Sequence, residues 1–298
     1  MTVPSIGVSD GTTGPFRPKP VDIPTPKLRG AASGIAGAED LSPLERAEKF
    51  EEVREGIAGS IHSWELVTSV DGPGTRMTLF LSGCPLRCVY CHNPDTLHMK
   101  DGTLQSLDDI VKKMKRYRPV FKASGGGITI SGGEPLFQEP FTRNLLREAK
   151  KLGIHTAIDT SGFLGARVDE EMMQDIDLFL LDIKSGDPET YKKVTGRELQ
   201  PTIDFGNRLN ENHRKVWIRF VVVPGWTDDW DNVEKAADIV GGWKNAVERV
   251  EVLPFHNMAQ DKWESLGMKY YLENVKPPEA EVVERIREQF RARGLDVY

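Results

Sequence analysis

Gly83-Cys84-Pro85-Leu86-Arg87-Cys88-Val89-Tyr90-Cys91-His92-Asn93 holds all three cysteines of the 298-residue chain, spaced C-x3-C-x2-C. Three thiolates on one short loop can converge on one inorganic centre, but they cannot complete a four-thiolate cage. An iron–sulfur cube seated here would keep one iron without a protein ligand. An open iron binds a small molecule, so the loop reads as a reaction site more than as an electron wire. Two other readings stand beside this one. Cys84, Cys88 and Cys91 with His92 form a Cys3His set for structural zinc, although His92 directly follows Cys91 and adjacent side chains in an extended loop point apart. The other alternative is unligated thiols.

Working outward, composition narrows the class. Hydrophobic residues make up 39% of the chain and charged residues 28%, enough apolar content for a buried core. The net charge of −6 lacks the basic excess of a nucleic-acid binder. No apolar run reaches the length of a membrane helix, and no apolar h-region follows Met1. An odd number of clustered cysteines suits a reducing cytosol rather than a disulfide framework, so a cytoplasmic protein is expected.

The first 56 residues read as an extension. Pro4, Pro15, Pro18, Pro20, Pro24 and Pro26 lie among Gly, Ser and Thr, a composition that cannot bury enough apolar area to offset its ordering entropy, and disorder is expected to about Glu39. Ser42, Pro43 and Glu45 spell a capping box with proline at the first helical position, predicting a helix over residues 43–55. The body, 57–298, alternates strand-like with helix-like runs. Strands are expected at Met77–Leu81, Gly127–Ile130, His155–Ile158, Leu178–Leu181, Val216–Val223 and Arg249–Leu253. Helices are expected at Leu107–Tyr117, Phe141–Leu152, Pro188–Val194, Asp204–Asn212, Asp231–Val240 and Pro278–Arg293. This alternation predicts an α/β fold with a parallel sheet of about six strands, short of a closed eight-stranded barrel. Polar residues gather where the strands end, the position of active sites in α/β barrels.

Several of those residues carry two readings. Gly132-Gly133-Glu134 follows a strand and lets backbone approach a ligand, or marks an ordinary turn. Ser124-Gly125-Gly126-Gly127 reads as flexible loop. Asp159 and Asp182 end neighbouring strands, as helix caps or as a hard-oxygen pair for a cation. Lys184, at i+2 from Asp182, is a ligand contact or a surface lysine. Arg219 lies inside the apolar run Trp217–Val221 and needs a partner there, ligand or structural carboxylate. His256 ends the last strand, as a ligand contact or a core histidine. Tyr90, between two cysteines, can shield a cluster. Asp71 precedes the tight Gly72-Pro73-Gly74 turn and can present a carboxylate at the rim of a site.

The C-x3-C-x2-C loop resembles the signature of the radical S-adenosylmethionine (SAM) enzymes. Further blocks narrow the likeness: IHSWE from Ile61, VDGPGTR from Val70, SGGGITISGGEPL from Ser124, GIHTAIDTSGF from Gly153, LLDIK from Leu180, KVWIRFVVVPGW from Lys215 and LPFH from Leu253. Together they resemble the pyruvate formate-lyase activating enzyme family over about Ile57 to Tyr298. The resemblance implies a partial (β/α)6 TIM-like barrel and a 4Fe-4S cluster on Cys84, Cys88 and Cys91. SAM would chelate the open iron among Tyr90, Cys91, His92, Gly132, Gly133, Glu134, Asp182, Ile183, Lys184 and His256. It also implies a monovalent cation at Asp159 and Asp182, with substrate contacts at Asp71 and Arg219. The implied activity is an oxidoreductase that cleaves SAM reductively under anaerobic conditions. The resulting 5′-deoxyadenosyl radical takes a Cα hydrogen from a glycine of pyruvate formate-lyase. A flavodoxin or ferredoxin-type donor would supply the electron, and a monomer is expected. Activation of another glycyl radical enzyme is the alternative, and a zinc-stabilised binding module the distant one. The N-terminal extension departs from the pattern. The absence of cysteines outside the loop excludes the inserted ferredoxin-like domain of some relatives.

Overall fold

The computed structural model describes residues 34–68 and 70–298. The expectation of disorder over residues 1–33 lies outside them. Residues 34–56 are ordered structure, contrary to a tail disordered as far as Glu39. Helix α1 (Pro43–Arg54) opens with the expected capping box: Glu45 N–H donates to Ser42 Oγ at 3.4 Å, and Ser42 N–H to Glu45 Oε2 at 3.0 Å. Ile35, Ala38 and Val53 are buried with Met99, and Phe50, Leu104 and Phe137 pack around them.

Eight strands form one sheet: β1 (Ala58–Thr68), β2 (Arg76–Leu81), β3 (Thr103–Ser106), β4 (Gly127–Gly132), β5 (His155–Thr160), β6 (Leu178–Asp182), β7 (Val216–Val222) and β8 (Val247–Pro254). Their order is β3-β1-β2-β4-β5-β6-β7-β8. From β2 to β8 every pairing is parallel, which gives the six parallel strands expected. The pair β1 and β3, absent from the sequence reading, adds an antiparallel flap at one edge. The result is an open, mostly parallel sheet.

Helices α2 (Leu107–Ser124), α3 (Glu139–Lys151), α4 (Glu170–Gln174), α5 (Pro188–Thr195), α6 (Gln200–Glu211), α7 (Trp230–Gly241), α8 (Gln260–Ser265) and α9 (Ala280–Arg291) link and follow the strands. Alternation along each strand divides the side chains into two sets. Met77, Leu79, Ile128, Ile130, Ile158, Phe179, Leu181, Ile218, Phe220 and Val252 join the main core with the helices. Ala157, Leu178, Leu180 and Trp217 form a second, smaller cluster.

Two expectations are corrected. Helix α2 runs past Tyr117 to Ser124 with Pro119 inside it; Pro119 is exposed, so the carbonyl left without its amide partner can be met by water. The Ser124–Gly127 stretch is no free loop: Thr75 N–H donates to Ser124 Oγ at 3.1 Å, and Gly127 N–H to Thr75 O at 3.2 Å.

Candidate active site

The cysteine loop leaves the end of β2 and is fastened along its length. Gly83 N–H donates to Thr96 O at 2.7 Å and Cys84 N–H to Leu97 O at 3.2 Å. Arg87 N–H reaches Thr195 O at 2.8 Å and Val89 N–H reaches Val194 O at 3.0 Å, tying the loop to the end of α5. The Trp263 indole on α8 donates to Cys91 O at 2.9 Å. Beyond the loop, Asp95 accepts from His62 Nε2 at 3.0 Å and pairs with Lys262 at 3.3 Å.

Gly83, at φ 97°, turns the loop over the end of β4. Its carbonyl accepts from Glu134 N–H at 2.9 Å. A Cβ on Gly133 would lie 2.4 Å from Gly83 O, so only glycine fits where this turn meets the cysteine loop. The Glu134 side chain turns inward, 1% exposed. Its carboxylate accepts from Thr160 Oγ1 at 2.7 Å, Ser161 Oγ at 2.6 Å and Ser161 N–H at 3.0 Å. Burial pushes its pKa up, and those donors oppose the shift. Glu134 therefore splices β4 to β5, and the backbone of its turn is what faces the loop.

Burial also raises the pKa of all three thiols, Cys88 to about 12. Cys84 feels the charges of Cys88 and Cys91, so the three sulfurs share one neighbourhood. The backbone amides of Leu86 and Asn93 act on Cys84 and Cys91 in the opposite direction, favouring thiolate. Lys184 lowers the Cys88 and Cys91 pKa values. Lys184 Nζ sits 2.8 Å from Asp182 Oδ2 and 5.6 Å from the Tyr90 ring centroid. Burial opposes the Lys184 charge, but Asp182, Tyr90 and Cys88 hold its pKa well above the ordinary value. The Tyr90 hydroxyl is buried with no hydrogen-bond partner among the described residues. His92 meets His256 edge-on, ring centroids 4.2 Å apart, and burial with that neighbour lowers its pKa to about 4.

A second group lies alongside. Arg219 pairs with Asp159 at 3.3 Å, Glu251 at 3.3 Å and Asp71 at 3.5 Å. Asp159 also accepts from Ser131 Oγ at 2.7 Å. Burial raises the Asp159 pKa to about 6; Arg219 opposes that and the Asp182 charge adds to it. Burial opposes the Arg219 charge, and its carboxylates more than restore it. Asp71 arrives from the turn before β2, and its carboxylate accepts from Thr78 Oγ1 at 3.1 Å as well as pairing with Arg219.

The geometry thus gathers the cysteines, Tyr90, Asp182 and Lys184, sets the Gly132–Glu134 turn against the loop, and joins Asp71, Asp159 and Arg219 in one charge network. The Ile183 side chain leaves the site and is buried in the main core. Glu251, Trp263 and the Thr160–Ser161 pair were not singled out in the sequence. Glu251 was within reach, because it alternates with the apolar residues of β8 and stands opposite Arg219 in the register.

Among the described residues, no group of three or more His, Cys, Asp and Glu is arranged to hold a metal ion. A tetrahedral zinc site draws its sulfurs to ~2.3 Å from one ion. A cubane takes each thiolate on a different iron and so accepts wider spacing.

Fold and loop together define a radical SAM protein: the Radical SAM superfamily profile matches residues 78–237. A radical SAM methyltransferase from Sphaerobacter thermophilus shares the fold at TM-score 0.54 and 17% identity, covering 87% of this chain and 81% of that one. Pyruvate formate-lyase 1-activating enzyme of Escherichia coli K12 is 42% identical over 234 residues, 78% of this chain and 94% of the relative. Pyruvate formate-lyase-activating enzyme of Staphylococcus epidermidis is 43% identical over 236 residues, 76% of this chain and 93% of the relative. The chain belongs to the pyruvate formate-lyase-activating enzyme family. The cofactors of this class are a 4Fe-4S cluster and SAM. The residues fit them: three neighbouring thiols, two of them met by backbone amides, and a buried phenol whose hydroxyl lacks a partner among the described residues.

Proposed function

We propose that this protein activates pyruvate formate-lyase by installing a glycyl radical on it. The observation that carries this reading is the contact of Gly133 with Gly83, which joins the three-cysteine loop to the glycine turn at the ends of the parallel strands. When bound, the 4Fe-4S cluster and SAM supply a one-electron cleavage of the sulfonium and a carbon radical able to take a hydrogen atom. Cys84, Cys88 and Cys91 give up their protons to hold the cluster, helped by the Lys184 charge and the loop amides. The Gly132–Glu134 backbone, Asp182, Lys184, His92 and His256 hold the amino-acid end of SAM, and Tyr90 closes the site against water. Asp159 and Asp182 offer oxygens to a monovalent cation, beside Arg219, which pairs with Asp159. Asp71 and Arg219 meet the glycine-bearing segment, which enters through the open side of the sheet. Holding the reacting atoms together matters because a free radical reacts with whatever it meets first.

A flavodoxin or ferredoxin-type protein supplies the electron to a monomer acting in the cytoplasm. No helix among the described residues is long and apolar enough to cross a membrane. The body from residue 57 onward acts as the catalytic domain. The test is anaerobic incubation with SAM, reductant and pyruvate formate-lyase, followed by electron paramagnetic resonance. A glycyl doublet on the lyase is the expected result. A doublet only on a different glycyl radical enzyme would reassign the partner. One zinc per chain without sulfide would discard the enzyme reading. Cys88→Ala should abolish SAM cleavage.

A further inference from the structure

The connection that follows Lys184 is anchored outside the site, on α7. Asp187 caps α5 by accepting from Thr190 N–H at 3.0 Å. Between Lys184 and that cap, one side chain receives three residues in a row. Asn232 Oδ1, on the first turn of α7, accepts from Ser185 Oγ at 2.6 Å, Gly186 N–H at 3.0 Å and Asp187 N–H at 3.1 Å. Its Nδ2 donates to Thr227 O at 2.7 Å. Thr227 Oγ1 in turn accepts from Val223 N–H at 2.8 Å and donates to Val221 O at 2.7 Å, where β7 ends. Asn232 and Ser185 are both buried. Three donors on one arm of the amide and a carbonyl on the other leave it a single orientation. Gly186 lies so close to the helix that a Cβ on it would stand 2.0 Å from Ala236 N. Helix α5 then carries this anchorage onward. Its start is held through Asp187, which Lys235 also meets at 2.6 Å. Its far end accepts the Arg87 and Val89 amides on Thr195 O and Val194 O. Just beyond it, Arg197 Nε donates to Pro85 O at 2.7 Å. The joint at Asn232 therefore carries Lys184 on one side and, through α5, the cysteine loop on the other.

We propose that Asn232 is a positioning residue for SAM binding: it fixes the connection from β6 to α5 against α7, and with it the backbone of Lys184. This rests on the reading of Lys184 as a contact of the amino-acid end of SAM. Lysine is a point charge on a flexible four-carbon stem, so its head is placed only as well as its backbone is. Lys184 Nζ sits 2.8 Å from Asp182 Oδ2, and a backbone already fixed leaves less to be ordered when a ligand arrives. Losing that placement weakens ground-state binding, which raises KM for SAM and leaves kcat nearly alone. A residue that served stability alone would lower the folded fraction and leave the KM of the folded protein unchanged.

The test separates the accepting arm from the donating one. Asn232→Ala removes both; Asn232→Asp keeps an accepting oxygen for the connection and loses the donor to Thr227 O. Full-length variants are reconstituted anaerobically, and SAM cleavage with dithionite is followed over a range of SAM concentrations. Asn232→Ala should raise KM for SAM about five- to tenfold, with kcat within about threefold of the parent. Asn232→Asp should keep KM within about threefold. In the cluster-free proteins, hydrogen exchange at the Gly186 and Asp187 amides should quicken at least about fivefold in Asn232→Ala and stay near parental in Asn232→Asp, with α9 unchanged in both. Should Asn232→Ala not fold, Ser185→Ala decides the matter: it takes away one of the three donors and should raise KM about threefold. A parental KM in the folded variant, or a KM raised equally by Asn232→Asp, overturns the positioning role. Parental exchange at the two amides overturns the anchorage itself. Lys184→Met tests the underlying reading. If it leaves KM for SAM unchanged, that lysine does not meet SAM and the link from Asn232 to SAM falls with it. Exchange at Gly186 and Asp187 would still decide whether Asn232 holds the connection.

Discussion

Gly133→Ala puts the joint between the two halves of the site to a quantitative test. The added Cβ would lie 2.4 Å from Gly83 O and 2.8 Å from Gly83 C, against an ordinary contact distance of 3.4 Å or more. Both obstructing atoms are backbone, and neither side can yield freely. Gly83 N–H is tied to Thr96 O at 2.7 Å, Gly133 N–H to Leu81 O at 2.8 Å, and Glu134 N–H to Gly83 O at 2.9 Å. Relief therefore needs the turn and the loop to part by about 1 Å. A displacement of that size between reacting groups costs roughly 100-fold in rate, and overpacking of this kind costs about 1–3 kcal/mol of stability. Formation of 5′-deoxyadenosine from SAM with dithionite as reductant reads the first quantity, and urea unfolding the second. Gly267→Ala is the control. At φ 63° an added side chain there meets left-handed strain, which Gly133 does not impose, but nothing among the described residues lies within 4 Å of its would-be Cβ. It should lose about 1–2 kcal/mol and keep the parental rate. A cluster-loaded Gly133→Ala protein that cleaves SAM within about threefold of the parent would refute the argument that the turn and loop are fixed by this contact.

Arg76 is fully buried and donates to Thr129 Oγ1 at 2.9 Å and to the Ile128 carbonyl, with the His155 ring at 3.0 Å; Arg76→Met should cost about 3–5 kcal/mol in urea unfolding, because those acceptors lose their donor. Asp159, raised to about 6, holds its proton in the folded protein over a pH range where the unfolded chain has released it. Stability contributed by this group therefore falls as pH rises from about 4 to 6. Asp159→Asn should flatten that slope and be no less stable than the parent at pH 8, and a slope unchanged by the substitution would show that another group causes it. Trp263→Phe removes the donor to Cys91 O and should cost about 1 kcal/mol, with iron passing to a chelator several-fold faster. Identical release rates would mean that the indole does not hold the loop.

The six parallel strands were legible because a strand buried on both faces is written in unbroken apolar and β-branched runs, as in Leu178–Leu181. β1 was not, since Ser63, Trp64 and Glu65 carry no apolar run, and β3 is too short to show a period. The capping box foretold α1 to within a residue, but nothing in Ile35 or Ala38 announced that the segment before it would be buried. At the site, the cysteine spacing and the glycine turn were written locally. Partnerships across the fold were not: Arg197 with Pro85, Arg219 with Glu251 and Trp263 with Cys91 each depend on where distant elements land. The inward turn of Glu134 was hidden for the same reason, since its donors come from the end of the next strand.

The helix ahead of the first strand has a practical consequence. A boundary drawn at residue 57 looks natural from composition, yet it would strip Ile35 and Val53 from Met99 and Phe137. Gly83 has those same two side chains at its back, where an added Cβ would lie 2.6 Å from the Phe137 ring and 3.0 Å from Met99 Cγ. Each of the two lost aliphatic side chains contributes roughly 1.5–3 kcal/mol when covered. A chain trimmed there would wet a greasy hollow directly behind the turn that starts the cysteine loop. Such shortened protein should be stickier, prone to self-association, and quicker to lose its metal than its sequence alone would suggest.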